Sequence, residues 1–376
     1  MDFSLSDEQQ LLKDSVDRFV RDRYGFDRRR ALLDTPLGFD EANWRQMAEL
    51  GWLAAPLPEA YGGIGGGAVE IMVLMEAFGR GLVLEPFFPS VVLGANLLLA
   101  AGSEAQKQEL LPSMAAGETR LAFAWVEPHA GYDLFDVTCV ARRDGGGWVL
   151  DGAKGVVLGA AAANRIVVLA RTAGGQRDRE GLSLFLVPQD APGLRRRDYA
   201  TQDGQRAADL SFEGVRLGAE ALLGAADEAL TTVETVAEHA IAALAAEAVG
   251  CMAVLVESTA DYLKTREQFG RSIGSFQAVQ HRAVDMFMAM EEARSMTYVA
   301  TCRLGDADAL RRAKAASGVK STIGRAGRRI GQEAVQLHGG MGMTDELHVG
   351  HYFKRLTMID IMFGNASWHL KRYAAL

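Results

Sequence analysis

The sequence has few cysteines and no long apolar segment without a charge. Cys139, Cys251 and Cys302 are widely separated and lack metal-ligand spacing, which predicts reduced core residues and no metal site. The most apolar long run, residues 240–256, contains Glu247. This run is too short and too charged to span a bilayer, so we interpret it as a buried helix of a soluble protein.

An excess of basic residues is also missing. The chain has 376 residues, with 48 acidic against 40 basic side chains and a net charge of −8. A nucleic-acid partner is therefore not indicated, and the triplets Arg28–Arg30 and Arg195–Arg197 are interpreted as solvated surface. The polar, acidic N-terminus MDFSLSDEQQ argues against a signal peptide. We expect a cytoplasmic protein without a membrane partner.

The pattern of the chain predicts an α+β fold in which helices come before and after a β-domain. Residues 1–118 have helical periodicity, and Ser6 with Gln9 forms a capping box at its start. Residues 119–225 contain short strand-like runs without intervening helices, which predict an antiparallel sandwich or barrel. Residues 226–376 are again helical and predict a bundle. The runs expected to be strands are 121–125, 137–140, 148–150, 166–170 and 182–187.

Two glycine-rich segments are candidate ligand sites. Residues 58–67 have five glycines but no preceding strand, so we interpret them as a flexible loop between helices and not as a dinucleotide fingerprint. Gly339 and Gly340 follow a helical run that ends at Gln336–His338. Glycines after a helix suit a left-handed cap, and they can also let a backbone approach a phosphate or sugar.

Several motifs, in order and with consistent spacing, resemble the acyl-CoA dehydrogenase family over essentially the whole chain. Each motif alone is a weak signal, but the set is specific. The motifs are Glu127-Pro-His-Ala-Gly-Tyr-Asp133, Asp151-Gly-Ala-Lys154, Tyr262-Leu-Lys-Thr-Arg266-Glu-Gln268-Phe269-Gly270, Phe276-Gln277 and Gln336-Leu-His-Gly-Gly340.

The resemblance implies a helical N-terminal domain, a central β-domain and a C-terminal four-helix bundle. It also implies FAD at a subunit interface, an acyl-CoA substrate and an electron-transfer flavoprotein or similar acceptor. The chain looks most similar to the small subunit of pimeloyl-CoA dehydrogenase-type two-component enzymes. The acyl chain of the substrate is not readable from the sequence.

The family's carboxylate base is missing from both of its usual places. Counted without a gap from the motif matches, Phe363 and Ala240 occupy these places, and neither can accept a proton. Glu238 and His239 lie ~200° and ~100° around a helix from Ala240 and point elsewhere. Asp360, about one turn before Phe363, is the one weak candidate.

The positions that resemble the flavin-ring contacts are also altered. Val126 and Tyr132 stand where the family has small hydroxyl residues, and Val156 and Leu158 stand where it has tryptophan and threonine. Losing a hydrogen-bond donor to a buried polar group costs about 1–3 kcal/mol. We therefore expect that this β-domain does not hold a flavin ring tightly.

The positions that resemble the adenosine side of the cofactor are intact. In the family, these segments reach a neighbouring subunit's FAD pyrophosphate, for which the fork of an arginine is well suited. Arg266 could instead form an ordinary surface ion pair with Glu267 or Asp261. The cofactor-binding residues that the resemblance implies are Arg266, Gln268, Phe269, Gln277, Gln336, Gly339 and Gly340.

This asymmetry leads to the hypothesis of a subunit of an FAD-dependent acyl-CoA dehydrogenase that lacks the catalytic glutamate and completes a homologous partner's FAD site. Three alternatives remain open. The chain could be an active homo-oligomeric dehydrogenase with a displaced carboxylate, a flavin-dependent monooxygenase of the same fold, or a structural homologue that binds no flavin.

Overall fold

The computed structural model describes residues 4–376, so the first three residues of the polar N-terminus lie outside the described part. A π-helical segment, Phe88–Ala95, directly precedes the fifth α-helix. The helices are α1 (Asp7–Arg23), α2 (Phe26–Leu33), α3 (Glu41–Glu49), α4 (Ala68–Gly81), α5 (Asn96–Ala101), α6 (Glu104–Ala115), α7 (Ala229–Thr265), α8 (Gln277–Arg303), α9 (Ala309–His338), α10 (His348–Ile361) and α11 (Ala366–Ala375).

The strands between α6 and α7 form one eight-stranded sheet in the order β6-β7-β3-β2-β4-β5-β8, with β1 paired to β4. A separate two-stranded hairpin follows α7. The strands are β1 (Leu121–Ala124), β2 (Val140–Asp144), β3 (Gly147–Leu158), β4 (Arg165–Arg171), β5 (Leu182–Pro188), β6 (Leu194–Ala200), β7 (Arg206–Leu217), β8 (Leu222–Leu223), β9 (Glu267–Gln268) and β10 (Arg271–Ser272).

The predicted α+β class and the order of helices, sheet and helices are confirmed. The side chain of Ser6 accepts a hydrogen bond from the amide of Gln9, and the Gln9 side chain accepts one from the amide of Ser6, as the capping box predicted. Most sheet pairings are antiparallel, but β1 pairs in parallel with β4. Both strands are almost entirely buried, as strands of a parallel pair usually are.

The chain divides into two compact units. The first contains residues 4–31, 68–83 and 241–376, and the second contains residues 32–67 and 84–240. The first unit is mainly helical and also contains the β9–β10 hairpin. The second carries the eight-stranded sheet together with α3, α5, α6 and the start of α7.

In the first unit, α4 and α7 pack closely because each has a glycine at their contact. A Cβ on Gly79 would lie 2.0 Å from the carbonyl oxygen of Glu247, and one on Gly250 would lie 2.0 Å from that of Glu76. The thiol of Cys251 donates to the carbonyl of Gly79 at 3.3 Å. Neither glycine could therefore be another residue without separating the two helices.

Among residues 4–376, α7 is the one helix that is long and apolar enough to cross a membrane, and 83% of its most apolar window is buried. Such burial is what a core helix has. Alanine is abundant in this helix, which favours the helical backbone and leaves room for close neighbours.

Several sequence-based expectations need correction. Arg29 is 2% exposed and donates from Nε to the carbonyl of Leu82 at 2.9 Å, so the prediction that the whole Arg28–Arg30 triplet is solvated was wrong. Cys302 is exposed, whereas Cys139 and Cys251 are buried as predicted. The expected strand at 137–140 begins only at Val140. No pattern had indicated β6, the exposed edge strand that carries Arg195–Arg197.

Candidate functional site

The segment after α7 forms a projecting tip. Phe269 and Gly270 connect β9 and β10 and have φ angles of +55° and +77°, which a two-residue type I′ turn requires. Phenylalanine adopts this conformation at a cost of about 1–2 kcal/mol. Its side chain is 89% exposed. The tip therefore combines a strained backbone with an apolar ring in solvent.

Arg266, the residue between α7 and the hairpin, is exposed and unpaired. Within residues 4–376, its guanidinium forms neither an ion pair nor a side-chain hydrogen bond. Asp261, one of the two carboxylates that could have paired with it, instead accepts from Lys264 at 2.9 Å. Gln268 and Gln277 are exposed near it in the chain. The arginine is thus available to an anion from outside the chain.

The end of α9 supplies the second segment. Gly339 ends the helix with a φ of +63°, and its amide donates to the carbonyl of Gln336. Gly340 has no such backbone requirement, and a Cβ there would meet no atom within 4 Å. A glycine that neither its own conformation nor its neighbours require fits a place where something else approaches the backbone.

Two aromatic side chains bring these segments together. The rings of Tyr262, near the end of α7, and His338, at the end of α9, stack with centroids 4.5 Å apart. His338 is buried, and its Nδ1 lies 2.8 Å from the carbonyl oxygen of Ala334. Arg266 follows Tyr262 by one helical turn and Gly339 follows His338, so the two predicted cofactor-binding segments lie at one end of the same helical unit.

The turn between α10 and α11 is held by two buried side chains. Lys320 of α9 is fully buried, and its Nζ donates to the carbonyls of Ile359, Asp360 and Gly364 at 2.7, 2.7 and 2.8 Å. Burial lowers the pKa of Lys320 to about 7, which nearby Asp360 partly opposes.

His369 fixes the other side of this turn. Its Nε2 lies 2.8 Å from the carbonyl oxygen of Phe363, and burial lowers the pKa of His369 to about 3. Phe363 is 7% exposed with a φ of +57°. The turn is therefore rigidly anchored, but it presents an apolar side chain where the family resemblance expects the base.

The Asp360 side chain is buried and contacts groups that hold the fold together. Its Oδ1 accepts a hydrogen bond from the amide of Ala366 at 3.0 Å, its Oδ2 lies 3.7 Å from the guanidinium of Arg328, and its side chain is 8% exposed. These contacts tie the end of α10 to the start of α11. Phe363 lies outside α10, so the helical face that Asp360 would have shared with it does not exist.

The other place for a base, Ala240, lies within α7 and is fully buried. Its neighbour Glu238 is also buried, at 6% exposure, and engages other groups of the chain.

In the second unit, a buried ion pair fixes the loop after β1. Lys154 Nζ donates to Glu127 at 2.7 Å and to the carbonyl of Trp125 at 3.4 Å. Glu127 also accepts from the amides of Thr138 and Cys139. Burial acts to raise the pKa of Glu127, but the charge and hydrogen bond of Lys154 and the hydrogen bonds from Thr138 together outweigh it, so that pKa lies below its usual range.

A strained residue interrupts β3 next to this loop. Val156 has a φ of +52° at a shift in the β3–β7 register, a rare conformation for a β-branched residue. Its amide donates to Asp209 at 3.3 Å, and Asp209 also accepts from Tyr199 and Arg197. The side chains of Val156 and Leu158 offer a bound ring no hydrogen bond.

The residues that sequence reasoning missed are Lys320, His369 and Asp209. Lys320 and Asp209 fix a turn and a bulge by bonding to main-chain groups that are distant in sequence. His369 instead fixes the turn through the carbonyl of Phe363, six positions before it. For Lys320, the sequence signal was a lysine among the small residues of α9. The sequence offered no comparable signal for His369 or Asp209.

Comparison with known proteins identifies the family to which this fold and these motifs belong. Family models described as acyl-CoA dehydrogenase N-terminal, middle and C-terminal domains match residues 6–118, 122–215 and 230–375. Acyl-CoA dehydrogenase FadE12 of Mycobacterium tuberculosis is 32% identical over 92% of this chain and 90% of its own length.

Two solved structures have the same fold over nearly the whole chain. A variant of the Tcur3481–Tcur3483 steroid ACAD is 33% identical with a TM-score of 0.89, covering 99% of this chain and 98% of that one. The ChsE4–ChsE5 complex from Mycobacterium tuberculosis is 27% identical with a TM-score of 0.90, covering 100% and 98%.

Proposed function

The chain belongs to the acyl-CoA dehydrogenase family, whose members are FAD-dependent oxidoreductases, and we propose that it is the subunit of a two-component enzyme that lacks the base. In this proposal, a homologous subunit carries the catalytic carboxylate and removes hydrogen from the α and β carbons of an acyl-CoA. This chain completes that subunit's FAD site. The arrangement is that of the small subunit of pimeloyl-CoA dehydrogenase-type enzymes.

The observation that carries the proposal is the contrast between two ends of the helical unit. Phe363 lies on an anchored turn where a base would be expected. At the end that holds Arg266 and Gly340, an exposed guanidinium has no side-chain partner among residues 4–376, and the backbone at Gly340 is unobstructed. A chain that used its own base would need a carboxylate on the turn at Phe363. A chain that completes a neighbour's FAD site needs only the groups at Arg266 and Gly340.

The chain's own groups fit one part of FAD and not the other. Arg266, Gln268 and Gln277 are exposed donors that would hold a pyrophosphate, with Gly339 and Gly340 allowing close approach. Val156 and Leu158 do not fit the polar edge of the ring. FAD, when bound, supplies the hydride acceptor of the reaction, and the ring would be held by the partner subunit.

Two structural neighbours support a two-component assembly because each is named for a pair of proteins, Tcur3481–Tcur3483 and ChsE4–ChsE5. We propose by analogy a hetero-oligomer with a homologous subunit, reoxidised by an electron-transfer flavoprotein. The proposal includes domain limits at 1–118, 119–225 and 226–376.

The decisive experiment is to co-express this chain with homologous subunits encoded beside it and count FAD per chain. We expect the chain alone to be colourless and inactive, and the complex to contain one FAD for each pair of unlike chains. A chain that alone binds one FAD per copy and reduces a dye with an acyl-CoA would overturn the proposal in favour of a displaced base.

A pair of variants tests the role of Arg266 within that complex. Arg266→Ala should weaken retention of FAD about tenfold or more, because a charge-assisted hydrogen bond contributes about 1.5–3 kcal/mol. Arg142→Ala, which removes another exposed arginine, is the matched control and should retain FAD normally. Equal retention by both variants would contradict the assignment.

A further inference from the structure

Glu85, in the loop between α4 and the π-helical segment, has a buried carboxyl group. One of its oxygens has no hydrogen-bond partner among the described residues. The residue is 4% exposed. Its Oε1 accepts a long hydrogen bond, 3.4 Å, from the amide of Asp40. Across residues 4–376, its Oε2 has no hydrogen-bond partner. A polar atom buried in this way is strongly disfavoured unless something satisfies it.

Asn43, in the helical turn that follows Asp40, has a buried side-chain nitrogen without a hydrogen-bond partner among residues 4–376. Asp40 is the N-cap of α3, and its side chain accepts from the amide of Ala42. Asn43 is the third residue of this helix, a position from which a side chain usually reaches back to the amide of the N-cap. That amide donates to Glu85 instead. Asn43 is 1% exposed, and its Nδ2 has no partner in the described chain.

We propose that Glu85 and Asn43 together form a binding site for one internal water molecule. Glu85 binds the amide of Asp40, and Asn43 lies in the helical turn that Asp40 caps. Within residues 4–376, Glu85 has an unsatisfied oxygen and Asn43 an unsatisfied nitrogen. Water suits this pair because it donates and accepts, and internal waters typically make about three hydrogen bonds to buried polar groups. Burial raises the pKa of Glu85 to about 8, so a neutral ligand fits the protonated carboxyl better than a cation.

The water would tie the start of α3 to the loop at residues 84–86. This loop also supports the sheet, because a Cβ on Gly159 would lie 3.5 Å from Cβ of Pro86 and 2.8 Å from Cγ of Pro89. Gly159 directly follows Leu158, the last residue of β3. The site therefore helps to position the end of β3.

A high-resolution crystal structure of the full chain, alone or in its complex, tests the proposal directly. We expect one density peak within about 2.7–3.2 Å of both Glu85 Oε2 and Asn43 Nδ2. Well-ordered side chains with no peak between them, or a direct hydrogen bond from Asn43 to Glu85, would overturn it.

A double-mutant cycle provides an independent test. Glu85→Met and Asn43→Leu each remove one group of the pair, and the proposal predicts that their effects on the denaturation midpoint are not additive. The double variant should lose clearly less than the two single variants together. Glu49→Met, on the exposed side of α3, replaces Glu85→Met in the control cycle and should be additive with Asn43→Leu. Additivity in both cycles would contradict a shared water.

Discussion

Arg355 on α10 and Glu247 on α7 form a buried, doubly hydrogen-bonded ion pair. Nε and Nη2 of the arginine donate to the two carboxylate oxygens at 2.6 and 2.7 Å, and the side chains are 6% and 5% exposed. The two opposite charges compensate each other inside the helical unit, and the doubly hydrogen-bonded geometry links the two helices at a specific register.

Replacing one member of this pair should lower the free energy of unfolding far more than replacing both. Glu247→Leu or Arg355→Met alone removes the opposite charge from a buried ion pair, and we expect a loss of about 3–5 kcal/mol in the free energy of unfolding. The double variant should lose much less. Urea denaturation of the three variants checks this, and a double variant as unstable as the sum would contradict it.

The exposed pair Arg80–Glu257, between α4 and α7, is the control. Because solvent screens this pair, Glu257→Gln should change the free energy of unfolding by less than about 1 kcal/mol.

The contact between α4 and α7 should not tolerate a single added methyl group. We expect Gly79→Ala and Gly250→Ala each to destabilise the helical unit by about 3 kcal/mol or more, because the new Cβ would collide with a backbone carbonyl that cannot move independently. Thermal unfolding measures the effect. Gly305→Ala, where a Cβ meets no atom within 4 Å, should change stability little, and a similar loss there would refute the explanation.

Asp360 should prove to be structural and not catalytic. Asp360→Ala removes the acceptor for the amide of Ala366 and the charge near Arg328, and we expect it to cost about 1–2 kcal/mol of stability. Asp360→Asn retains an acceptor oxygen and should cost less. Dehydrogenase turnover by the complex of either variant should be unchanged, and its abolition in the folded Asp360→Asn complex would identify the carboxylate as a base.

Glu85 should make the protein less stable as the pH rises. Its pKa is raised by burial from 4.5 to about 8 in the folded state, so between these values the folded chain binds more protons than the unfolded one. Stability from this group is therefore full below about pH 4.5 and is lost as the pH approaches 8.

Glu85→Gln removes this titration. We expect the variant to gain stability relative to the parent chain between pH 5 and pH 8, by at most about 5 kcal/mol. Chemical denaturation across this range, with Glu49→Gln as the exposed control, measures the difference. A difference that does not change with pH would mean that Glu85 is ionised throughout.

Features with local causes were predictable from the sequence. The long helices α7, α8 and α9 were predicted from local sequence patterns, and the capping box at Ser6 depends on a residue only three positions away. Gly339 ends α9 because its own backbone prefers the required conformation. The strand β6 was missed because its exposed arginines have no apolar alternation that could distinguish it from a loop.

Features that depend on distant residues were not predictable. Arg29 looks like surface in a run of three arginines, but packing buries it against the carbonyl of Leu82. Cys302 looks like a core residue, yet it lies on the outer side of α8. In both cases the environment comes from segments that are far apart in the chain.

Residue identity alone establishes that no carboxylate stands at Phe363 or Ala240 and that Arg266, Gln336 and Gly340 are present. The folded structure is needed to show that Asp360 joins two helices, that Arg266 has no partner within residues 4–376, and that Tyr262 and His338 bring two motifs together. Hydrogen bonds and ion pairs act over a few ångströms, so their partners exist only after packing has brought distant segments into contact.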